Sequence, residues 1–279
     1  MKIATYEDGT TKIGVVDGDA IVDTGHTDML DVIRRWDQLR DEFSLAGERG
    51  VRKPISDVQL RAPVSRPGKI FAIGLNFADH IEEMKMPRPT QQLWFTKAQT
   101  SINGPYDGIV IAAEGPDVDY EVEMVAVIGK TGRNIPVERA ADYVFGYCVG
   151  NDVTERGWQR NSGGQWSLGK SFDTHAPIGP WITTADSVPD PHALALTCTV
   201  NGEKRQSSNT KHLIFNVWEQ IAHLSKAMTL EPGDLLFTGT PSGVGDAHKP
   251  PIYLKRGDVV RCEVEGLGHI EGGLVEQTI

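Results

Sequence analysis

Asp117-Val-Asp-Tyr-Glu-Val-Glu-Met-Val-Ala-Val-Ile128 joins two patterns in one short segment. Val122 to Ile128 is an apolar run of strand length, rich in β-branched residues, and reads as a buried strand. The first half places acids at 117, 119, 121 and 123. Side chains along a strand alternate faces, so an extended backbone puts Asp117, Asp119, Glu121 and Glu123 on one side. Acids in a row raise one another's pKa, and a cation among them relieves the repulsion. A divalent metal is one solution. A solvated edge strand, whose acids face water and blunt aggregation, is the other. Asp152 leaves the end of a second apolar strand, Val144-Phe-Gly-Tyr-Cys-Val149, and is placed to add a third ligand. Three carboxylates with no His or Cys near them in sequence select a hard cation, Mg2+ with Mn2+ close behind.

Outward from this segment, strand signals dominate. Lys69 to Ile73, Tyr143 to Val149, Leu196 to Val200, Leu235 to Phe237 and Val259 to Val264 all read as strands. Turns fall at Asn201-Gly202, Pro232-Gly-Asp234 and Arg256-Gly-Asp258. One amphipathic helix is expected from about Lys211 to Met228, with Leu213, Ile214, Val217, Trp218, Ile221 and Leu224 on one stripe. Residues 1–24 alternate around Asp8-Gly9 and Asp17-Gly18, a hairpin pattern. Met29, Leu30, Ile33, Trp36, Leu39 and Phe43 follow at helical spacing. Ala62-Pro-Val-Ser-Arg-Pro-Gly68 then marks a boundary. The expected organisation is α+β, mainly β, with a small β-rich N-terminal domain over 1–66 and a catalytic domain over 67–279.

Composition narrows the function classes. The 279 residues include 39% apolar side chains, enough for a substantial core, and 30 Gly with 16 Pro, which suits many short strands. The net charge is −10 with no basic run, which argues against a nucleic-acid partner. No stretch approaches the ~20 apolar residues of a membrane span, and the N-terminus carries no signal-like apolar run. Cys148, Cys198 and Cys262 are scattered and form no CxxC pair. That argues against a thiolate zinc site and a disulfide framework, and suits the cytoplasm.

Three further clusters carry chemistry. In Gly74-Leu-Asn-Phe-Ala-Asp-His-Ile-Glu-Glu-Met84, His80 and Glu83 face each other if the segment is helical. A carboxylate beside an imidazole orients it for general-base work, although an isolated His-x-x-Glu is more often a surface pair. In Asp152-Val-Thr-Glu-Arg-Gly-Trp-Gln159, helical geometry places Asp152, Arg156 and Gln159 on one face. Arg156 and Lys170 are cations suited to a substrate carboxylate or to the acids, and each alone also suits a surface ion pair. Thr238-Gly-Thr-Pro-Ser-Gly-Val-Gly245 is either a loop whose backbone N–H groups cradle an anion or a tight structural turn. No GxSxG segment supports a Ser/His/Asp triad.

Taken in order, Gly74-Leu-Asn-Phe-Ala-Asp-His-Ile-Glu-Glu, Asp119-Tyr-Glu-Val-Glu, Gly150-Asn-Asp-Val-Thr, Gly169-Lys-Ser-Phe-Asp, Pro177-Ile-Gly-Pro-Trp181 and the Thr238 loop resemble the fumarylacetoacetate hydrolase family. The resemblance spans about residues 69–275, and the small N-terminal module resembles that of many bacterial members. It implies a mixed β-sandwich roll, usually a homodimer. It also implies Glu121, Glu123 and Asp152 as ligands of Mg2+ or Mn2+, and His80 with Glu83 as a water-activating dyad on a lid. Lys170, Arg156, Gln159, Thr240 and Gly239 would hold a small oxo-acid substrate. Two positions depart from the pattern: Phe77 replaces an expected Tyr, and His175 is atypical.

The reaction this implies is hydrolysis of the C–C bond of a 2,4-dioxo acid of the acylpyruvate type, giving pyruvate and a carboxylic acid. Decarboxylation or isomerisation of a 2-oxo or 2-hydroxydienoic diacid on the same site is the rival. A non-catalytic metal- or ligand-binding relative is the third expectation.

Overall fold

The computed structural model describes residues 1–276. Its N-terminal segment forms β1 (Lys2–Asp8), β2 (Thr10–Asp17), β3 (Ala20–Asp23), α1 (Met29–Arg34), α2 (Trp36–Arg49), β4 (Arg52–Pro54) and β5 (Gln59–Arg61). Then follow β6 (Ile70–Gly74), α3 (Ala78–Glu83), β7 (Leu93–Thr96), β8 (Ile102–Asn103), β9 (Ile109–Ile111), β10 (Val118–Asp119) and β11 (Val122–Ile128). β12 (Val144–Asn151), β13 (Thr154–Glu155), α4 (Arg156–Asn161), β14 (Ala176–Thr184), β15 (Ala195–Val200) and β16 (Glu203–Asn209) come next. The described chain closes with α5 (Val217–Ala227), β17 (Leu235–Phe237), β18 (Val259–Val264) and β19 (Gly268–Glu276).

The fold is mainly β, as the sequence indicates. A large mixed sheet runs β4-β3-β2-β1-β14-β12-β11-β17-β6-β7, and a second sheet runs β16-β15-β18-β19-β9. β1 pairs antiparallel with β14, Ile3 opposite Ile182, so the N-terminal segment extends the central sheet. Its apolar residues Ile13, Met29, Ile33 and Phe43 share one core cluster with Val125, Val127, Ile178 and Phe237.

β11 shows how alternation builds the layers. Val122, Met124, Ala126 and Ile128 join the cluster containing Leu196, Cys198, Val260 and Cys262 of the second sheet. Val125 and Val127 face the opposite cluster, beneath α1 and α2. Buried on both faces, the strand reads as a continuous apolar run.

The long helix begins later than its apolar stripe suggests. Asn216 accepts from Glu219 N–H while the Glu219 carboxylate accepts from Asn216 N–H, a capping box that starts α5 at Val217. Leu213 and Ile214 precede it in extended chain: Leu213 bridges to Phe77, and Ile214 N–H donates to Asn76 O at 2.8 Å. Among the described residues, no helix is long and apolar enough to cross a membrane.

The two atypical residues both serve the core. Phe77 is fully buried in the cluster between the sheets. His175 is fully buried, stacks on Phe172 at 5.4 Å, and donates from Nε2 to Val110 O at 2.9 Å. Its Nδ1 has no partner among the described residues. Burial presses its pKa down to about 4. The unfolded chain therefore binds this proton more readily. Stability from neutral His175 is fully present above about pH 6.5 and is lost as pH falls toward 4, by about 2 to 3 kcal/mol. Urea unfolding at pH 7 and pH 4.5 should show His175→Gln losing less stability over that interval than the parent, by about that amount; equal losses would contradict the assignment.

Candidate active site

Register determines where the candidate residues meet. β11 runs antiparallel to both neighbours, with Val122 opposite Asn151 of β12 and Val125 opposite Phe237 of β17. β6 runs parallel to β17, Phe237 opposite Ala72. The start of β11 therefore lies beside the ends of β12, β17 and β6. The chain leaves those ends as Asp152, the Thr238 loop and Gly74-Leu-Asn76, which leads into α3.

At this edge Glu121, Glu123 and Asp152 each offer a carboxylate oxygen, all within 4.8 Å of one another, and all three are buried. Glu123 continues the face of Val125, as alternation requires. The row of four acids is not one continuous strand, however: β10 ends at Asp119, and β11 begins only at Val122. Asp117 pairs instead with Arg160 at 3.3 Å, and Asp119 with Arg156. β11 lies inside the sheet, so the reading of an exposed acidic edge is overturned.

Three buried cations hold the acids. Lys170 Nζ donates to Glu121 Oε2 and Asp152 Oδ2, both at 2.7 Å. Lys97 Nζ donates to Asp152 Oδ1 at 2.5 Å. Arg156 Nε donates to Asp119 Oδ2 at 2.8 Å. Its Nη2 lies 2.7 Å from Asp119 Oδ2 and 2.8 Å from Glu121 Oε1. At these distances Nη2 is ion-paired with both carboxylates, although neither contact has hydrogen-bond alignment.

The charges respond accordingly. Burial works against ionising Glu121, but Lys170 and Arg156 outweigh it and hold the carboxyl below its usual range. Burial disfavours the Lys170 ammonium, and Asp152 and Glu121 reverse that, so it stays protonated. Glu123 has no cation of its own. Burial first, then Asp152 and Glu121, push its pKa well above the carboxylate range. Gly239 N–H, at 2.7 Å, is the hydrogen bond it receives.

The Thr238 loop does cradle anions, and the ones it holds here are the protein's own carboxylates. Gly239 N–H binds Glu123. Gly243 N–H donates to the Glu83 carboxylate at 3.1 and 3.2 Å. Gly245 and Asp246 N–H donate to Asp119 at 2.8 and 3.0 Å. Glycine is needed at 239 because φ is +105° and a Cβ would lie 2.8 Å from that of Asn76. Thr240 Oγ donates to Val122 O at 3.0 Å and accepts from Gln206 Nε2 at 2.9 Å.

His80 lies on α3, its Nδ1 3.2 Å from Glu83 Oε2. Burial raises the Glu83 pKa, but His80 and Gly243 N–H outweigh it and keep the carboxyl ionised below its usual range. A carboxylate on Nδ1 favours the Nδ1–H tautomer and leaves Nε2 as the proton acceptor. Asp152 is not on the helix with Arg156 and Gln159, because β13 intervenes and α4 starts at Arg156. Arg156 Nη1 donates to Gln159 Oε1 at 3.0 Å.

His80, Glu121, Glu123, Arg156, Gln159, Lys170 and Thr240 border one cavity of about 270 Å³ with an apolar wall that includes Leu75, Met84, Met86 and Trp166. Glu83, Asp152 and Gly239 stand behind this lining. Lys97 and Gln206 were not singled out in the sequence. Lys97 directly follows the apolar strand Leu93–Thr96, just as Asp152 follows its own strand, and that was the available signal. Gln206 sits in a polar strand with nothing to mark it.

A buried carboxylate triad and a His–Glu pair thus meet at one cavity of a mixed β fold, and the three acids could hold a metal ion. The chain belongs to the fumarylacetoacetate hydrolase family: residues 69–275 match the family described as Fumarylacetoacetate (FAA) hydrolase C-terminal. It is 49% identical over 217 residues to Oxaloacetate tautomerase Fahd2a, mitochondrial, of Rattus norvegicus, covering 78% of this chain and 69% of that one. Fumarylacetoacetate hydrolase from psychrophilic Exiguobacterium antarcticum superposes with a TM-score of 0.91 at 38% identity, covering 99% of this chain and 100% of that one. The structure of maleylpyruvate hydrolase from Sphingobium sp. SYK-6, in complex with manganese(II) ion and pyruvate, matches with a TM-score of 0.86 at 34% identity over 100% of both chains.

Glu123 gives the first test of the triad. Mn2+ at about 100 times its Kd should stabilise the parent protein by about 2.7 kcal/mol. Glu123→Gln should abolish most of that rise in thermal midpoint. Its metal-free midpoint should be equal or higher, because repulsion from Asp152 and Glu121 is removed. A persistent Mn2+ shift would show that Glu123 is not a ligand.

Proposed function

We propose that the chain is a Mg2+- or Mn2+-dependent enzyme that interconverts the keto and enol forms of a small 2-oxo diacid of the oxaloacetate type. The observation that carries this is Arg156. Its guanidinium, charge-paired with Asp119 and Glu121, is buried and borders the cavity that also holds His80 and the acids. A planar guanidinium fixed at a cavity wall suits the carboxylate of an anionic ligand. The cavity of about 270 Å³ lies at the small end of ligand sites, which suits a substrate of few atoms. The 49% identity to a protein named oxaloacetate tautomerase favours this reaction.

Glu121, Glu123 and Asp152 would hold the metal: all three are hard oxygen donors, and Glu123 lacks a countercharge. When bound, the ion supplies Lewis acidity, polarising the 2-oxo group and stabilising negative charge on its oxygen. Arg156 and Gln159 bind the substrate carboxylate and fix the carbon beside the oxo group near His80. Nε2 of His80 takes the proton from that carbon and returns a proton to complete the exchange. Glu83 keeps the imidazole oriented and stabilises it while it carries the extra proton. Lys170 stays charged between Glu121 and Asp152 and keeps their oxygens in place. Thr240 contributes to the cavity wall, and Gly239 holds Glu123 through its N–H.

Hydrolysis of a 2,4-dioxo acid to pyruvate and a carboxylic acid is the second reading. It is favoured by the partial exposure of the dyad, since the Glu83 side chain retains 30% of its surface and the His80 side chain 11%.

Loss of enol absorbance, with products identified by mass, separates the readings. With Mn2+ the protein should accelerate ketonisation of enol-oxaloacetate without releasing CO2 or cleaving a C–C bond. His80→Gln should slow turnover by roughly 10² to 10⁴ while Mn2+ affinity is kept. Cleavage of an acylpyruvate with oxaloacetate left untouched would favour hydrolysis, and CO2 release would make the chain a decarboxylase. Tight ligand binding without turnover of either substrate would make it a binding protein.

A further inference from the structure

We propose that Asp119 is a positioning residue of this centre: it aims the Arg156 guanidinium into the cavity and ties it to the loop that also holds Glu123 and Glu83. The inference rests on the reading of Arg156 as the substrate-carboxylate site.

Asp119 belongs to the row of alternating acids but not to the triad. It is fully buried and does not border the cavity. Its carboxylate is already filled. Oδ1 accepts from Gly245 N–H at 2.8 Å and from Tyr120 N–H at 2.9 Å. Oδ2 accepts from Arg156 Nε at 2.8 Å and from Asp246 N–H at 3.0 Å, with Arg156 Nη2 at 2.7 Å. Few lone pairs remain for another ligand, which explains why this acid stands apart from Glu121 and Glu123.

The same contacts determine what Arg156 can do. Asp119 takes Nε, and Gln159 Oε1 takes Nη1 at 3.0 Å. The guanidinium is planar and rigid, so fixing these two nitrogens also fixes Nη2, which stands 2.7 Å from Asp119 Oδ2 and 2.8 Å from Glu121 Oε1. A Cβ built on Gly245 would lie 2.6 Å from Asp119 Oδ1, so the carboxylate rests directly on the loop backbone. Asp119 thus links the cation of α4 to the segment whose amides hold Glu123 and Glu83. Removing its charge loosens the guanidinium from the loop and leaves Glu121 as its remaining carboxylate partner, and that lowers affinity for an anion in the cavity.

The test uses oxalate, a non-reacting dianion shaped like the carboxylate–oxo end of the substrate. Its binding to the Mn2+-loaded full chain is measured by calorimetry, and Mn2+ binding alone by electron paramagnetic resonance. Asp119→Asn should weaken oxalate at least about 10-fold and raise KM in proportion, leaving kcat and Mn2+ affinity within about threefold. Arg156→Lys should weaken oxalate similarly. The double variant should be no weaker than Arg156→Lys alone, because contacting residues that act through one another are not additive. Asp119→Glu keeps the charge but displaces it; it should show an intermediate loss, and it carries the test if the Asn variant does not fold. Unchanged oxalate affinity in a folded Asp119 variant, additive losses in the double variant, or parallel loss of Mn2+ would each overturn the proposal. Failure of the parent protein with Mn2+ to bind oxalate would instead sink the reading of the site itself.

Discussion

Four carboxylates, Asp119, Glu121, Glu123 and Asp152, are buried together against three cationic side chains, Lys97, Arg156 and Lys170. Burying a charge without a partner costs several kcal/mol even after relaxation, so each of these groups constrains the others. Asp152 shares two lysines, Glu121 shares Lys170 and Arg156, and Asp119 takes the remaining face of Arg156. Glu123 is left with an amide alone. The acids therefore outnumber the basic side chains by one, and Glu123 is the carboxyl without an ion-pair partner, which is where the proposed divalent cation would act.

The sheet supplies the geometry for this cluster. Antiparallel pairing of β11 with β12 and β17 brings Glu121, Asp152 and Gly239 to one edge, though they are far apart in sequence. The loop after β17 then takes the part of a counter-surface. Its amides meet the acid triad through Glu123, the His80 pair through Glu83, and Arg156 through Asp119. A shift in that one loop would disturb all three contacts together, and glycine at 239 and at 243 holds its backbone at positive φ.

Much of this was legible in the residues. The apolar run of β11, the hairpins at Asp8-Gly9 and Asp17-Gly18, and the helical spacing of Met29 to Phe43 depend on local periodicity, and they appear as strands, turns and helices. The acids at 121 and 123 announced themselves by alternation. What alternation could not show was the break at Tyr120–Glu121, which hands Asp119 to Arg156 and leaves two of the four acids outside the triad. Lys97 was hidden for a different reason: it meets Asp152 across 55 positions, and only the pairing of whole strands brings them together. α5 starts later than the apolar stripe because Leu213 and Ile214 continue that stripe while bonds to Phe77 and Asn76 keep them outside the helix. The Thr238 loop was read as an anion cradle or a tight turn, and which anions it holds depended on tertiary structure.

Anomalous diffraction from crystals grown with Mn2+ tests the charge account most directly. One Mn2+ per chain should appear between Glu121, Glu123 and Asp152, with Lys97 and Lys170 still bonded to Asp152 and Asp119 still on Arg156. A cluster without Mn2+, a metal bound elsewhere, or an ion liganded by Asp119 in place of Glu123 would contradict it.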